Sequence, residues 1–256
     1  MSDEARILVV DDDRSMANTL SDILNVKGYR ADAVYSGAEA LERVEEQTYH
    51  CVLTDIKMPR INGAELYGMI NEIRPELPVV FMTAYAAEHL VRNALEEGAI
   101  ACLAKPLDIN LLIHFFSSLK KERSVVIVDD DPAFSSTLRD ILRARGFSVF
   151  EIGEPTEVIE ALTADIQVVL LDLNLDGVNG VDVLKNIRSQ APDLPVVLVT
   201  GYREEMTQAI EDGLRISAYT CLYKPFEIEE LLQVLTEVRH QEMGRMLGRR
   251  PRAKGR

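Results

Sequence analysis

Residues 7–13 read Ile7-Leu8-Val9-Val10-Asp11-Asp12-Asp13, and the pattern returns as Val125-Val126-Ile127-Val128-Asp129-Asp130-Asp131. Four apolar residues followed at once by three carboxylates describe a short strand buried on both faces that ends in a polar turn. Outward from this stretch, three further segments recur. Val52-Leu53-Thr54-Asp55 returns as Val169-Leu170-Leu171-Asp172, and Pro78-Val79-Val80-Phe81-Met82-Thr83 as Pro195-Val196-Val197-Leu198-Val199-Thr200. Cys102-Leu103-Ala104-Lys105-Pro106 returns as Cys221-Leu222-Tyr223-Lys224-Pro225. The four offsets are 118, 117, 117 and 119 residues. That is a duplicated domain, because solenoid units repeat every 20–50 residues or so.

Each copy alternates short apolar runs with helical spacing. In the first, runs near 6–10, 51–54, 79–82 and 101–104 predict buried strands, and 30–34 a weaker one. Between them Met16, Leu20, Ile23 and Leu24 predict a first helix, and Ser36-Gly37-Ala38-Glu39 a capping box opening a second. Leu66, Met69, Ile70 and Ile73 predict a third helix, Leu90, Ala94 and Leu95 a fourth, and Ile109, Leu112, Ile113, Phe116 and Leu119 a fifth. Leu111 and Phe115 lie off that last stripe, as scattered surface hydrophobes or as an interdomain or dimer contact. Five strand–helix alternations predict an α/β domain with an open parallel sheet and helices on both faces. The expected division is 1–121, 122–240 and a basic tail, 241–256, expected to be disordered. With no Gly/Ser or Pro-rich linker between the two copies, their mutual angle is expected to be restricted.

The 256 residues carry 28 Lys and Arg against 42 Asp and Glu, a net charge of −14, with 47% hydrophobic residues. The hydrophobic share provides packed cores and excludes a wholly disordered chain. No apolar run reaches membrane-span length, and the acidic start is not a secretory signal. Cys51, Cys102 and Cys221 form no CxxC, so neither a disulfide framework nor a zinc site is expected and a cytoplasmic location fits. So acidic a body repels nucleic acid and anionic membrane surfaces, which are not expected as partners. Only the tail, with six basic residues against Glu242, runs the other way, and it has no aromatic residue to stack on bases.

Sites in open parallel sheets form at the carboxyl ends of the strands. Asp11 and Asp12, Asp55, Thr83 and Lys105 all fall there, and so do their counterparts Asp129 and Asp130, Asp172, Thr200 and Lys224. Three carboxylates in one crevice repel unless a cation sits among them. Oxygen-only ligands favour Mg²⁺. Lysine and a threonine hydroxyl suit phosphate oxygens, and a carboxylate can itself take a phosphoryl group. The residues describe a metal-assisted phosphoryl site, present twice. A lone aspartate after a strand is more often a helix cap, but the whole set recurring in order argues for a site.

This motif set resembles the receiver domains of two-component response regulators, with the CheY-like fold, over about residues 4–121 and 123–240. The resemblance implies two consecutive doubly wound (βα)5 flavodoxin-like domains, each with a five-stranded parallel sheet. It implies phosphoacceptors at Asp55 and Asp172, and one Mg²⁺ per domain. Asp12 and Asp130 would bind the metal directly and Asp11 and Asp129 support it, with the backbone carbonyls of Lys57 and Asn174 completing the shell. Thr83 and Thr200 would bond the phosphoryl group, and Lys105 and Lys224 would pair with its oxygens. The donor would be a sensor histidine kinase or a histidine phosphotransfer protein. A homodimer or a downstream protein would be a further partner. Catalysis would be limited to the domains' own phosphorylation and dephosphorylation.

The chain departs from the family pattern in three places. Cys102 and Cys221 stand where receivers often carry a switch aromatic, and they read as small buried strand residues. Tyr85 and Tyr202 stand two residues past each threonine, at a position that influences phosphoryl lifetime in the family. Asp176 replaces the family's proline in the second acceptor loop, and Lys57 differs from Asn174. The two sites are therefore expected to hold phosphate for different times. No phosphohistidine pattern or Gly-rich ATP box marks the chain as a kinase, and about 16 residues after the second domain are too few for an output enzyme. Alternatives are the receiver portion of a hybrid histidine kinase, a binding scaffold without phosphorylation, or an aspartyl-phosphate hydrolase of haloacid-dehalogenase type using Asp11 and Asp13.

Overall fold

The computed structural model describes residues 4–84, 95, 98–119, 123–162, 166–175, 177–201 and 207–248. The chain divides into two compact units, one of Met1–Lys120 with Arg239–Arg256, the other of Lys121–Val238.

In the first unit, strands β1 (Arg6–Val10), β2 (Arg30–Val34), β3 (Cys51–Asp55), β4 (Val79–Thr83) and β5 (Ala101–Ala104) form one parallel sheet in the order β2-β1-β3-β4-β5. Every residue of β3 and β4 is buried, as continuous apolar runs covered on both faces require. Helices α1 (Arg14–Val26), α2 (Gly37–Glu46), α3 (Gly63–Ile73) and α4 (Ile109–Leu119) cover the sheet. Two apolar clusters result, one per face. Leu20, Leu24, Leu112 and Phe116 belong to one, and Val44, Leu66 and Ile70 to the other. The weak strand at 30–34 is present in full. Of the expected fourth helix, Leu90 and Ala94 lie outside the described residues.

The second unit repeats the plan. Strands β6 (Arg123–Val128), β7 (Phe147–Ile152), β8 (Ile166–Asp172), β11 (Val196–Thr200) and β12 (Thr220–Tyr223) pair in the order β7-β6-β8-β11-β12, and all pairs are parallel. Two-residue strands β9 (Asn174–Leu175) and β10 (Val178–Asn179) form a small antiparallel hairpin after β8. The helices are α5 (Pro132–Arg143), α6 (Val158–Ala161), α7 (Gly180–Gln190), α8 (Thr207–Arg215) and α9 (Ile228–Met246).

The third aspartate of each acidic triplet starts a helix. Asp13 accepts from the amides of Ser15 (2.9 Å) and Met16 (3.2 Å), and Asp131 from those of Ala133 (2.9 Å) and Phe134 (3.1 Å). These bonds satisfy amides that a helix start leaves without partners. The capping box expected at Ser36 and Glu39 is half formed. Ser36 accepts the Glu39 amide, but the Glu39 carboxylate takes the amide of Tyr35, one residue earlier. The complete box is at α3, between Asn62 and Glu65.

The C-terminal segment differs from expectation. No break falls at 241, since α9 continues to Met246. Met243 and Leu247, four residues apart on one helical face, are buried in the first unit's core cluster with Phe115. Arg239 Nη2 donates to the carbonyl of Leu119 at 3.2 Å. Phe115 is fully buried rather than a surface hydrophobe, and Leu111 is half-buried beside it. Residues 249–256 of the expected tail lie outside the described residues. Among the described residues no helix is long and apolar enough to cross a membrane.

Removing buried methylenes costs transfer free energy plus a cavity term. Leu247→Ala should therefore lower unfolding stability by about 2–3 kcal/mol, read from the urea midpoint, whereas Val26→Ala, at an 86% exposed position, should leave it nearly unchanged.

Candidate functional site

Strand order places the carboxyl ends of β1, β3, β4 and β5 side by side. Val10 is level with Thr54, Asp55 with Met82, and Thr83 with Ala104. Asp11, one residue past β1, and Asp55, the last of β3, therefore open into one crevice, and Lys105 follows β5. Its ammonium bridges both carboxylates, at 2.7 Å from Asp11 Oδ2 and 2.5 Å from Asp55 Oδ1. The other Asp55 oxygen, Oδ2, accepts the Lys57 amide at 2.9 Å, and Asp11 Oδ1 accepts the Asp13 amide at 3.0 Å. Both aspartates and Thr83 are buried, and Asp12 and Lys57 are exposed at the rim.

The second unit builds the same constellation. Lys224 Nζ stands 2.6 Å from both Asp129 Oδ2 and Asp172 Oδ2. Asp172 Oδ1 accepts the Asn174 amide at 2.9 Å, and Asp129 Oδ1 the Asp131 amide at 3.0 Å. Asp129, Asp172 and Thr200 are buried, with Asp130 and Asn174 exposed. Asp129, Asp130 and Asp172 offer ligand oxygens all within 4.8 Å of one another, the one such group among the described residues. This oxygen-only set suits a hard divalent cation. The first unit's carboxylates are more spread.

The electrostatics follow from burial and from the bridging cation. Desolvation pushes Asp55 and Asp129 above the usual carboxylate range, against the opposing pull of the lysine each one touches. Burial alone would pull Lys105 and Lys224 down, but two carboxylate partners apiece outweigh it and hold both above the ordinary lysine value. Each lysine stays an ammonium throughout the neutral range.

Sequence reasoning missed the glycines behind Asp55 and Asp172. Gly63 and Gly180 open α3 and α7, and their amides donate to the carbonyls of Ile56 (2.9 Å) and Leu173 (3.0 Å). A Cβ at Gly63 would run into the Asp55 carbonyl oxygen, and one at Gly180 into that of Asp172. The loop passes this close only with no side chain there. The glycine at equal distance beyond Asp55 and Asp172 was the available signal. Asp13 and Asp131 are helix caps, which removes the need for a catalytic role at Asp13. Cys102 and Cys221 lie half-buried on β5 and β12 rather than fully buried, each beside a core cluster, and no cysteine is in a disulfide. Tyr85, Tyr202 and Asp176 lie outside the described residues.

A fold of this order carrying paired lysine–carboxylate sites defines a receiver-type α/β protein. The chain matches the response regulator receiver domain family over residues 7–116 and 125–236, and it belongs to that family, as two receivers in tandem. It is 31% identical over 239 residues to a response regulator receiver protein of Anaeromyxobacter sp. (strain Fw109-5), covering 93% of this chain and 97% of that protein. It is 40% identical over 110 residues to the transcriptional regulatory protein ZraR of Escherichia coli (strain K12), covering 43% of this chain and 25% of that one. The chain thus spans almost all of the first relative and a quarter of the second. A receiver domain protein (CheY-like) from Methanospirillum hungatei JF-1 is similar in structure, with 31% identity, 45% of this chain and 94% of that chain covered, and a TM-score of 0.43.

The raised lysines set a pH dependence. A lysine whose folded pKa lies above its unfolded value contributes stability that is complete below about 10.4 and is lost as pH rises through the folded value. Lys105→Met and Lys224→Met should each flatten the alkaline fall of the urea midpoint, and each should also destabilise at pH 7, because two buried carboxylates lose their counterion. Gly63→Ala and Gly180→Ala should destabilise by about 2 kcal/mol or more through backbone displacement at Asp55 and Asp172.

Proposed function

We propose that Asp55 and Asp172 are phosphoacceptors that take phosphoryl groups from a phosphohistidine donor. The observation that carries this reading is the lysine ammonium held between two carboxylates at the strand ends, repeated in both units. A carboxylate oxygen of the acceptor attacks phosphorus through a remaining lone pair. The P–O bond forms, the P–N bond breaks, and the donor imidazole leaves with the electron pair. The lysine neutralises the acceptor's charge so that an anionic donor can approach, then pairs with the transferred phosphoryl oxygens. The hydroxyls of Thr83 and Thr200, at the ends of the neighbouring strands, are suited to bond the same group.

Asp11, Asp12 and Asp55 in one unit, and Asp129, Asp130 and Asp172 in the other, would hold Mg²⁺, with the carbonyls of Lys57 and Asn174. The all-oxygen donor sets fit such an ion. When bound, Mg²⁺ neutralises carboxylate and phosphoryl charge and draws the two together. The domains act on themselves alone, and the signal leaves by protein–protein contact. The donor is a sensor histidine kinase or a histidine phosphotransfer protein.

Intact mass after incubation with Mg²⁺ and a small acyl-phosphate donor tests the reading. Wild type should gain two phosphoryl groups, Asp55→Asn and Asp172→Asn one each, and the double variant none. Chelating the metal should slow uptake at least about tenfold. The single variants should lose phosphate at different rates, because Lys57 and Asn174 border the two acceptors differently. Equal decay would remove the proposed asymmetry, and no uptake from either this donor or a cognate kinase would favour a scaffold.

A further inference from the structure

Among the described residues, the two sites share their ion pairs but not the wall beside the lysine. Lys224 Nζ stands 4.0 Å from the centroid of the Phe134 ring, on the first turn of α5. Phe226, two residues beyond Lys224, packs edge-on against that ring at 6.1 Å and 88°. The ammonium is thus fixed by two carboxylates and by an aromatic face that a second ring buttresses. The repeat offsets put Met16 and Leu107 at the corresponding positions of the first unit, and neither offers a ring.

We propose that Phe134 is a positioning residue for phosphoryl transfer at Asp172, acting through Lys224. The assignment rests on the reading of Asp172 as an acceptor. The negative face of an aromatic ring attracts an ammonium, most strongly when water is excluded. Lysine has four rotatable bonds and much conformational freedom to lose. The ring confines the ammonium to the crevice before the donor arrives, and it leaves the charge available because it supplies no competing anion. Phe226 holds the ring at its angle. Met16 and Leu107 give Lys105 no ring from these two positions, so the two receivers differ in how this side of their phosphate-binding lysine is held.

Phe134 also packs against the second unit's core, so loss of shape must be separated from loss of the ring. The full chain would be prepared as wild type, Phe134→Leu and Phe134→Tyr, with Mg²⁺ and a small acyl-phosphate donor, and site-resolved uptake followed by mass. Phe134→Leu should slow uptake at Asp172 about 3- to 10-fold and leave Asp55 unchanged. Phe134→Tyr, which keeps the ring, should stay within about twofold of wild type. By NMR, the ε-methylene protons of Lys224 should be displaced upfield by the ring in wild type and Phe134→Tyr and return to ordinary positions in Phe134→Leu. The proposal is overturned by a Phe134→Leu rate equal to wild type, by equal slowing in the Tyr and Leu variants, or by an undisplaced Lys224 signal in wild type. Absence of phosphate on wild-type Asp172 overturns the acceptor reading and this role together, and a wild-type rate of zero sets that result apart from the others.

Discussion

One ammonium shared between two buried carboxylates is the constraint on which each unit depends. Asp11 and Asp55 would repel at this separation in a medium poorer than water, and Lys105 turns the repulsion into two short charge-assisted bonds. For that to happen, β1, β3 and β5 must end at the same height, and the strand order must set β1 beside β3. The loop after Asp55 or Asp172 must also fold back against that residue's own backbone carbonyl. That explains the absence of a side chain at Gly63 and Gly180. Burial costs a charge dearly unless it is paired, so the site needs all three members at once.

Duplication preserved this ionic frame and relaxed its surroundings. In the second unit the lysine gains an aromatic wall, the loop after Asp172 closes as a hairpin, and the carboxylates cluster more tightly. The lysine–carboxylate bridge itself is present in both units. The two copies therefore keep one ionic frame while differing in what surrounds it.

Much of this was legible in the sequence, because strands buried on both faces announce themselves as short apolar runs and the polar residues at their ends recur in order. The weak strand at 30–34 was readable for the same reason. Where two readings compete locally, the sequence was less decisive. Ser36 and Glu39 have capping-box spacing, yet Glu39 finds the Tyr35 amide instead. The C-terminal segment misled because its arginines and glycines dominate the composition. Met243 and Leu247 are only two apolar residues, and they gain meaning from the cluster around Phe115 that they help to cover.

The sequence by itself determined the α/β alternation, the duplication and the identity of each strand-end residue, since these depend on local periodicity and on chemistry that side chains carry with them. Only the tertiary structure decided which oxygen of Asp55 meets Lys105 and which meets the Lys57 amide, why a glycine stands behind Asp55 and Asp172, and that Phe134 faces Lys224. The reason is physical. Residues 50 to 90 positions apart, such as Asp55 and Lys105 or Phe134 and Lys224, are neighbours only after the sheet has formed, and the contact then depends on heights and angles that no spacing along the chain records.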